Sequence, residues 1–548
     1  MVGDNFCRIG GYMKISFLGG TRTVTGSNHL IETKNSKILL DCGLFQGDKE
    51  LDEKNFQPFV FNPSEIDFLI LGHAHIDHSG RIPKLIKDGF QGKIICTKAT
   101  MDLADIMLKD SAKIQEQDSE WENRKRQRAG KDLVEPLYTI EDAEKAMNYF
   151  NPYFYGQLIK LNEEITIRFN DAGHILGSSI TEIWIKEDDK ETKLVYSVDL
   201  GIKNRPILNS PTYIEDADYL IMESTYGDKN HESFEESSKE LIELIKETVL
   251  NGGTVIIPSF AVGRTQELIY EFNQFFEYDE RAEELKNIKF YVDSPMGVNA
   301  TEAFSKNTDS FDKETKELIL KGDHPFEFKN LIYVSNVEDS VALNKNDDPK
   351  VIISSSGMAN AGRVRHHLKH NLWDPKNSVI FVGYQAQGTL GRLLIDGIKS
   401  VKILGEEINV SAKIYKVNGF SAHADQDFLL EWVSHFKSDP KVFLVHGERP
   451  AIKALQSLLE HLYKLRVIAP KEGEVYNLDS ADFVREEIDV EALKKEIDGN
   501  MVEVKDKFKN FVNNLDLNNL EDDDYVELKN KLIEMEHLLM ALNITNAK

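Results

Sequence analysis

One short segment restricts the fold of this chain more than any other, because four possible metal ligands occupy six consecutive positions directly after an apolar run. The segment reads Leu71-Gly-His-Ala-His-Ile-Asp-His-Ser-Gly80 and contains His73, His75, Asp77 and His78. Imidazole nitrogens and carboxylate oxygens are ligands of divalent zinc, and a loop at a strand end can turn such side chains inward without disturbing the sheet. The segment therefore predicts a metal site at the end of a strand.

The spacing of these side chains favours two ions over one. His73 and His75 are two residues apart and can converge on one metal, whereas Asp77 and His78 reach toward another. Two ions need further ligands, which are expected where other strands end. Four such positions follow predicted strands: His174, Asp199, His423 and His446. Each alone is typical of an ordinary turn residue, but the four together with the loop favour a shared site.

The pattern of β-rich runs and helical segments predicts an α/β fold. In the first part of the chain, predicted strands cover 13–18, 28–32, 37–40, 68–71, 93–96, 164–169, 181–185 and 193–197. Predicted helices lie between them at 82–88 and from residue 99 to about 120. Strands and helices alternate again from about 254 to 397, with buried strands at 254–258, 289–292, 351–354 and 378–382, which indicates a second, doubly wound domain.

Length, cysteine content and charge restrict the class of protein. A chain of 548 residues with 41% hydrophobic residues is expected to form two or three domains. Three cysteines without a zinc-binding spacing predict reduced thiols in the cytoplasm. The sequence has no apolar run of about eighteen residues, so no membrane span is predicted, and the apolar stretch of a signal peptide is missing at the N-terminus. The formal charge of −26 argues against long-range adhesion to nucleic acid or membrane, although bound metals and a locally basic groove could still attract phosphate.

The chain resembles the metallo-β-lactamase fold nucleases with an inserted β-CASP domain. That family includes the endonuclease subunit of the pre-mRNA cleavage and polyadenylation machinery and its bacterial and archaeal relatives. The resemblance runs from about Met13 to about Leu478 and rests on many segments in the same order. They are Gly19-Gly-Thr-Arg-Thr-Val-Thr-Gly26, Leu40-Asp-Cys-Gly43, His73 to His78, His174, Asp199, Glu223-Ser-Thr-Tyr-Gly227, Pro258-Ser-Phe-Ala-Val-Gly-Arg264-Thr-Gln-Glu267, Asp293-Ser-Pro-Met296, Ser356-Gly-Met358, Gly383-Tyr-Gln-Ala-Gln-Gly-Thr-Leu390, Phe420-Ser-Ala-His-Ala-Asp425 and Val445-His-Gly-Glu448.

The resemblance implies an αββα metallo-β-lactamase sandwich with an inserted β-CASP α/β domain. The first part of the sandwich would span 1–215, the insert 216–408 and the return segment of the sandwich 409–480. The remaining residues, 481–548, carry seventeen acidic against nine basic residues and a helical pattern, which predicts a helical C-terminal tail.

The resemblance also implies a site residue by residue. His73, His75 and His174 would bind one zinc, Asp77, His78 and His446 would bind a second zinc, and Asp199 would bridge the two. Asp41 would not bind zinc itself but would orient a loop that carries ligands. The catalytic residues would be His423 as general acid, Glu223 as the carboxylate that orients it, and the metal ligand Asp77.

The activity implied is that of a two-zinc ribonuclease that hydrolyses phosphodiester bonds of single-stranded RNA. RNA is favoured over DNA because family members that act on RNA have histidine where His446 stands. The insert would leave a cleft too narrow for paired nucleic acid, and Arg264, Arg363 and the turn Ser354-Ser-Ser-Gly357 are candidate phosphate contacts. Whether such an enzyme cuts from the end or internally stays open.

Two other functions compete with the nuclease. Another metallo-hydrolase, such as a thioesterase or lactamase, would need the metal ligands but not Glu223, His423 or the insert. A non-catalytic RNA-binding or scaffolding subunit would typically have lost ligands. In the tail, Leu528, Leu532, Met535, Leu538 and Leu539 fall at helical spacing, which is compatible with a homodimer contact or with packing against the chain's own body.

Overall fold

The computed structural model describes residues 13–47, 49–385 and 388–478, together with Lys505 and Lys509. Apart from these two lysines, the predicted tail lies outside the described residues, so its helical structure and its role in self-association stay predictions. Within the described ranges, no helix combines the length and apolar character needed to cross a bilayer.

Two sheets, each with seven strands among the described residues, pack face to face as the central layers of the sandwich. In spatial order the first contains β22 (Val475–Asn477), β1 (Lys14–Gly19), β2 (Asn28–Glu32), β3 (Lys37–Leu40), β4 (Phe68–Ile70), β5 (Lys93–Thr97) and β6 (Phe150–Tyr153). The second contains β21 (Val467–Ile468), β20 (Lys441–Val445), β11 (Tyr219–Glu223), β10 (Lys190–Tyr196), β9 (Ser179–Glu187), β8 (Ile165–Asp171) and β7 (Leu158–Lys160). Strand β3 is parallel to β4, and β10, β11 and β20 are parallel to one another, so each group ends at one edge of its sheet.

A third sheet is parallel throughout its described strands. Its order is β14 (Leu331–Tyr333), β13 (Lys289–Asp293), β15 (Lys350–Ser354), β12 (Thr254–Pro258), β16 (Ser378–Phe381) and β19 (Lys413–Lys416). A separate hairpin pairs β17 (Ser400–Ile403) with β18 (Glu406–Asn409). The four predicted strands of the doubly wound domain are therefore all present, in a sheet whose central strands are buried on both faces, as all-parallel sheets require.

Helices cover the outer faces of the sheets. In chain order they are α1 (Lys49–Lys54), α2 (Ile76–Ser79), α3 (Ile82–Lys87), α4 (Lys98–Arg128), α5 (Ile140–Ala146), α6 (Phe234–Leu250), α7 (Arg264–Tyr278), α8 (Pro295–Lys306), α9 (Lys313–Leu320), α10 (Val337–Leu343), α11 (Val364–Asn371), α12 (Leu390–Ile395), α13 (Gln426–Val433) and α14 (Arg449–Leu462). Short 3-10 turns lie at Pro63–Glu65, Met147–Tyr149, Glu280–Leu285 and Thr308–Ser310.

The core between the two seven-stranded sheets explains why they face each other. Residues that alternate along the strands, such as Ile15 and Phe17 of the first sheet and Ile167 and Phe169 of the second, form one fully buried cluster. Trp432 of α13 belongs to the same cluster. Burial of this kind contributes about 25 cal/mol for each Å² of apolar surface removed from water. The arrangement confirms the predicted αββα sandwich with an inserted α/β sheet.

Two strands near the predicted domain boundaries at 216 and 409 pair with the sheet of the neighbouring domain rather than with the sheet of the domain to which the prediction assigned them. β11 follows residue 216 but pairs with β10 and β20 of the second sheet, whereas β19 follows residue 409 but pairs with β16 of the third sheet. Sequence patterns do not report strand partners, so a buried strand beside a domain junction can be assigned to either side. The chain leaves the sandwich after Glu223 and returns to it after Lys416.

Helix α4 is longer than predicted. It begins after the N-cap residue Thr97 and continues to Arg128, whereas the predicted helix ended near residue 120. The segment has no helix breaker before Gly130, and its charges pair one turn apart, as Arg126 does with Glu122 at 3.2 Å. Arg124, Lys125, Arg126 and Arg128 are thus part of a continuous helix.

Candidate metal centre

The candidate ligands follow four strands at one edge of the sandwich. His73, His75, Asp77 and His78 follow β4, His174 follows β8, Asp199 follows β10, and His446 follows β20. Glu223 is the last residue of β11, and His423 lies between β19 and α13. The structure therefore brings together all the metal-ligand and acid–base residues named from the sequence, although they span more than 370 positions.

The first ligand group contains three imidazoles and one carboxylate. The ligand atoms of His73, His75, His174 and Asp199 all lie within 4.8 Å of one another. His75 Nδ1 is 2.9 Å from His73 Nε2 and 3.2 Å from His174 Nε2. Asp199 Oδ2 is 3.6 Å from both His73 Nε2 and His174 Nε2. Four atoms at these separations can surround a single tetrahedral ion.

The second ligand group adjoins the first through Asp199. Asp77, His78 and His446 also offer ligand atoms within 4.8 Å of one another, with Asp77 Oδ2 3.3 Å from His446 Nε2 and 3.7 Å from His78 Nε2. Asp199 Oδ2 lies 3.3 Å from His78 Nε2, and its Oδ1 lies 3.4 Å from His446 Nδ1. The one carboxylate therefore reaches both groups.

The chemistry of these groups fits zinc. His78 Nε2 and Asp199 Oδ1 are buried and have no hydrogen-bond partner among the described residues, although buried polar atoms are normally paired. Burial, followed by the neighbouring imidazoles, holds the pKa of His73 and of His174 well below the usual value, which favours the neutral form that binds metal. Burial also lowers the pKa of His78, but nearby carboxylates, led by Asp199, raise it well above the usual value, so the pocket favours positive charge.

Each of three ligand imidazoles is held from behind. Asp41 Oδ2 is 2.6 Å from His78 Nδ1 and accepts a 2.6 Å hydrogen bond from Tyr196, while its Oδ1 accepts one from the backbone N–H of Gly72. The hydroxyl of Thr225 is 3.1 Å from His446 Nδ1. Such partners fix ring orientation and tautomer. Asp41 lies where the expectation placed it, beside a ligand loop and outside the groups of ligand atoms. Tyr196 and Thr225 were missed, because an inward tyrosine or threonine near a strand end carries no sequence signal of its own.

The third imidazole depends on backbone. The carbonyl oxygen of Ala422 lies 3.2 Å from His174 Nδ1. Backbone groups can be supplied by any residue type, so no sequence pattern could have identified this contact.

Left-handed backbone occurs at two of the ligand loops and at Asp41. Asp41, Val198 and His446 have φ angles of 57°, 52° and 47°. This conformation is costly for a β-branched residue such as Val198, so the surrounding contacts must enforce it. It turns the chain sharply at the strand end, which places Asp199 and His446 over the edge of the sheet.

Gly43 allows the loop with Asp77 to pack closely against the chain. A Cβ atom at Gly43 would overlap the carbonyl oxygen of Asp77 and press on the backbone N–H of Ser27. We expect Gly43→Ala to displace α2, to lower the free energy of unfolding by about 1–3 kcal/mol, and to cost one bound zinc per chain. Thermal unfolding and metal analysis measure both effects. Gly383→Ala is the control, because a Cβ there meets nothing within 4 Å; equal zinc content in both variants would contradict the prediction.

His423 and Glu223 form a pair beside the ligand groups. His423 Nδ1 is 3.2 and 3.3 Å from the two oxygens of Glu223 and 4.0 Å from Asp199 Oδ2. Glu223 is buried and accepts a hydrogen bond of 2.6 Å from the backbone N–H of Leu200. Burial alone lowers the pKa of His423, but the carboxylate of Glu223 raises it to about 9. The His423 side chain is 22% exposed, so one face is open to a bound molecule.

These residues also make a geometric alternative. Asp199, Glu223, His423 and His446 offer ligand atoms within 4.8 Å of one another and could surround an ion. Within this set, however, His423 already contacts Glu223, and Glu223 already accepts the backbone N–H of Leu200.

The two arginines predicted as phosphate contacts are engaged by the protein. Arg363 pairs with Asp293 at 2.6 Å and donates to the carbonyl oxygens of Val334 and Ser335. Arg264 forms an ion pair with Glu267. Neither guanidinium therefore presents a full set of donors to a ligand, and we do not assign them to phosphate.

Models of three protein families match consecutive parts of the chain. The metallo-beta-lactamase superfamily domain matches residues 30–224, the Beta-Casp domain matches 265–394, and the Zn-dependent metallo-hydrolase RNA specificity domain matches 407–470. The first match contains the ligands from His73 to Asp199 and also Glu223, and the last contains His423 and His446.

Relatives with assigned names cover most of the chain. A protein named as a ribonuclease from Thermus thermophilus is 38% identical over 82% of this chain and 96% of its own length. A protein named RNase J-like from Methanocaldococcus jannaschii is 31% identical over 84% of this chain and 99% of its own length. From the same organism, a protein named transcription termination factor FttA is 31% identical over 84% of this chain and 70% of its own length.

Proposed function

The chain belongs to the β-CASP family of metallo-β-lactamase fold proteins, and from this premise we propose that it is a two-zinc ribonuclease that hydrolyses phosphodiester bonds of single-stranded RNA. The resemblance inferred from the motifs is thereby confirmed at the level of the family. The nature of the metal, the number of ions and the substrate belong to the proposal.

A single observation carries it: two groups of ligand atoms share Asp199, and the His423–Glu223 pair lies directly beside them. His73, His75 and His174 would hold one zinc, and Asp77, His78 and His446 the other, with Asp199 between the two. Zinc bound there would supply Lewis acidity and, at neutral pH, an activated water for attack on phosphorus.

The protein's own part in the reaction is to hold these groups and to deliver a proton. Asp41, Tyr196 and Thr225 keep His78 and His446 in one orientation, so little reorganisation accompanies the reaction. Glu223 engages Nδ1 of His423, which leaves Nε2 to protonate the departing oxygen. A general acid placed in this way contributes about 10²- to 10⁴-fold to the rate.

RNA as substrate is supported by the ribonuclease names of two relatives and by the RNA specificity domain model, which spans His423 and His446. A preference for single strands is supported by the connectivity, because the chain enters the insert just after Glu223 and leaves it just before His423. An insert attached on both sides of the reacting group would narrow the approach to it. End-directed and internal cleavage are both compatible with the site, and a cytoplasmic location stays a prediction.

Metal analysis combined with RNA digestion tests the proposal. We expect two zinc ions per chain and cleavage of end-labelled single-stranded RNA that stops on chelation and returns with zinc. Substrates with and without a 5′ monophosphate would separate end-directed from internal cleavage, and duplex RNA and single-stranded DNA are the specificity controls. Cleavage that survives complete metal removal would refute the mechanism.

Metal removal should also change stability. Because the ligand groups exist only in the folded chain, zinc at about 1,000 times its dissociation constant should raise the free energy of unfolding by about 4 kcal/mol for each ion. Thermal unfolding with and without chelator measures the difference.

The combined results also decide between the alternative functions. If zinc binds and RNA stays intact, another metallo-hydrolase activity becomes the better candidate. If neither zinc nor cleavage is found, the non-catalytic RNA-binding subunit does.

A further inference from the structure

The segment that carries His423 is held by a buried arginine from the opposite side of the site. Arg205 lies in the loop after Asp199, and its side chain is 9% exposed. Its Nη2 donates to the carbonyl oxygens of Gly419 at 2.6 Å and Ser421 at 3.0 Å. Its guanidinium also lies over the ring of Phe234, with the guanidinium carbon 4.2 Å from the ring centroid. One planar group thus fixes two peptides directly before His423.

The insert provides the other end of this contact. Arg205 Nη1 donates to Oε1 of Glu267 at 3.0 Å, and Glu267 lies in the first turn of α7. The segment is also tied to α6, since the backbone N–H of Gly419 donates to Ser237 Oγ at 3.2 Å. Arg205 therefore connects the insert to the segment that carries the acid. The rigid planar fork of a guanidinium lets one side chain serve one carboxylate and two carbonyls at once in a fixed geometry.

Two functional groups depend on where this segment lies. His423 is one, because its ring must stay at 3.2 Å from Glu223. Ala422 is the other, because its carbonyl oxygen contacts His174 Nδ1 at 3.2 Å. Within this segment, Arg205 thus holds the carbonyl groups of Gly419 and Ser421, whereas Ala422 and His423 contact the site.

We propose that Arg205 is a positioning residue that, anchored to the insert by Glu267, sets the orientation of both His423 and the zinc ligand His174. The part of this proposal that concerns His423 rests on the proposed ribonuclease function. The part that concerns His174 requires only that the site binds metal.

Arg205→Met and Arg205→Lys test the proposal, with Lys203→Met as the matched control. Lys203 is in the same loop and carries the same charge, but it forms an exposed ion pair with Glu431 at 2.8 Å. We expect Arg205→Met to lower kcat by about 10- to 100-fold at saturating zinc with KM within about twofold, because a displaced acid is out of reach of the leaving oxygen. The affinity of one zinc should fall by about 10- to 100-fold. Arg205→Lys should lie between, since it can still donate to one carbonyl.

A double variant separates positioning from general damage. At saturating zinc, Arg205→Met combined with His423→Ala should be no slower than His423→Ala alone, because Arg205 then has no acid to position. Multiplied effects, or unchanged kcat together with unchanged zinc affinity, would overturn the proposal. Thermal unfolding identifies a variant that does not fold, in which case Arg205→Lys decides. If the natural protein cleaves no RNA, the ribonuclease proposal fails while zinc affinity still tests the hold on His174.

Discussion

Replacing Asp199 by asparagine should abolish RNA cleavage and reduce bound zinc from two ions per chain to one or fewer. Asp199 is the only described carboxylate that reaches both ligand groups, with Oδ2 3.6 Å from His73 and 3.3 Å from His78. A neutral amide of the same shape removes the negative charge that both ions would share and directs N–H donors at the cations. Because each ion contributes several kcal/mol and each 1.36 kcal/mol is tenfold in rate, the loss should be at least about 10⁴-fold.

The matched control for this change is Asp216→Asn, because Asp216 is largely exposed and forms a surface ion pair with Lys193 at 3.0 Å. That variant should keep both its zinc and its activity. Metal analysis and single-turnover cleavage of end-labelled RNA measure the two effects separately. An Asp199→Asn protein that keeps two ions and cleaves within about tenfold of the natural rate would remove Asp199 from the bridging position.

The part of this site that could be predicted is the part carried by chemically distinctive residues. Histidine and aspartate directly after apolar runs indicated the positions of His73, His174, Asp199 and His446, because a strand end is where a buried chain can turn polar side chains inward. The order of the motifs then indicated the family and its sandwich. Strands with strong β-branched patterns were placed within one or two residues, as for Thr254–Pro258 and Lys289–Asp293.

What could not be predicted depends on partners distant in sequence. The left-handed φ of Val198 follows from the surrounding packing rather than from the valine itself, which disfavours that conformation. Tyr196, Thr225 and Arg205 are ordinary residues in sequence, and only the fold shows what each contacts. The assignment of β11 and β19 to their sheets likewise depends on strand pairing, which no local pattern specifies.

His423→Ala should separate proton delivery from metal binding. His423 contacts Glu223 at 3.2 Å but is 4.0 Å from Asp199, so its loss should leave both zinc ions in place while RNA cleavage falls by about 10²- to 10⁴-fold. His435→Ala is the control for the loss of a histidine. His435 lies in the same return segment as His423, but its ring stacks on Tyr213 and it is not one of the site residues. That control should cleave RNA normally.

A substrate that needs no acid makes the prediction specific. Bis(p-nitrophenyl) phosphate releases a phenolate that is stable without a proton, so His423→Ala should hydrolyse it at close to the natural rate although it no longer cleaves RNA efficiently. Glu223→Gln should resemble His423→Ala in this comparison but lose less, because the amide can still accept the backbone N–H of Leu200 and part of the ring's orientation is kept. Equal losses on both substrates would mean that His423 supports the metal centre itself, as in the alternative ligand group with Asp199, Glu223 and His446, and loss of zinc in the same variant would identify it as a ligand.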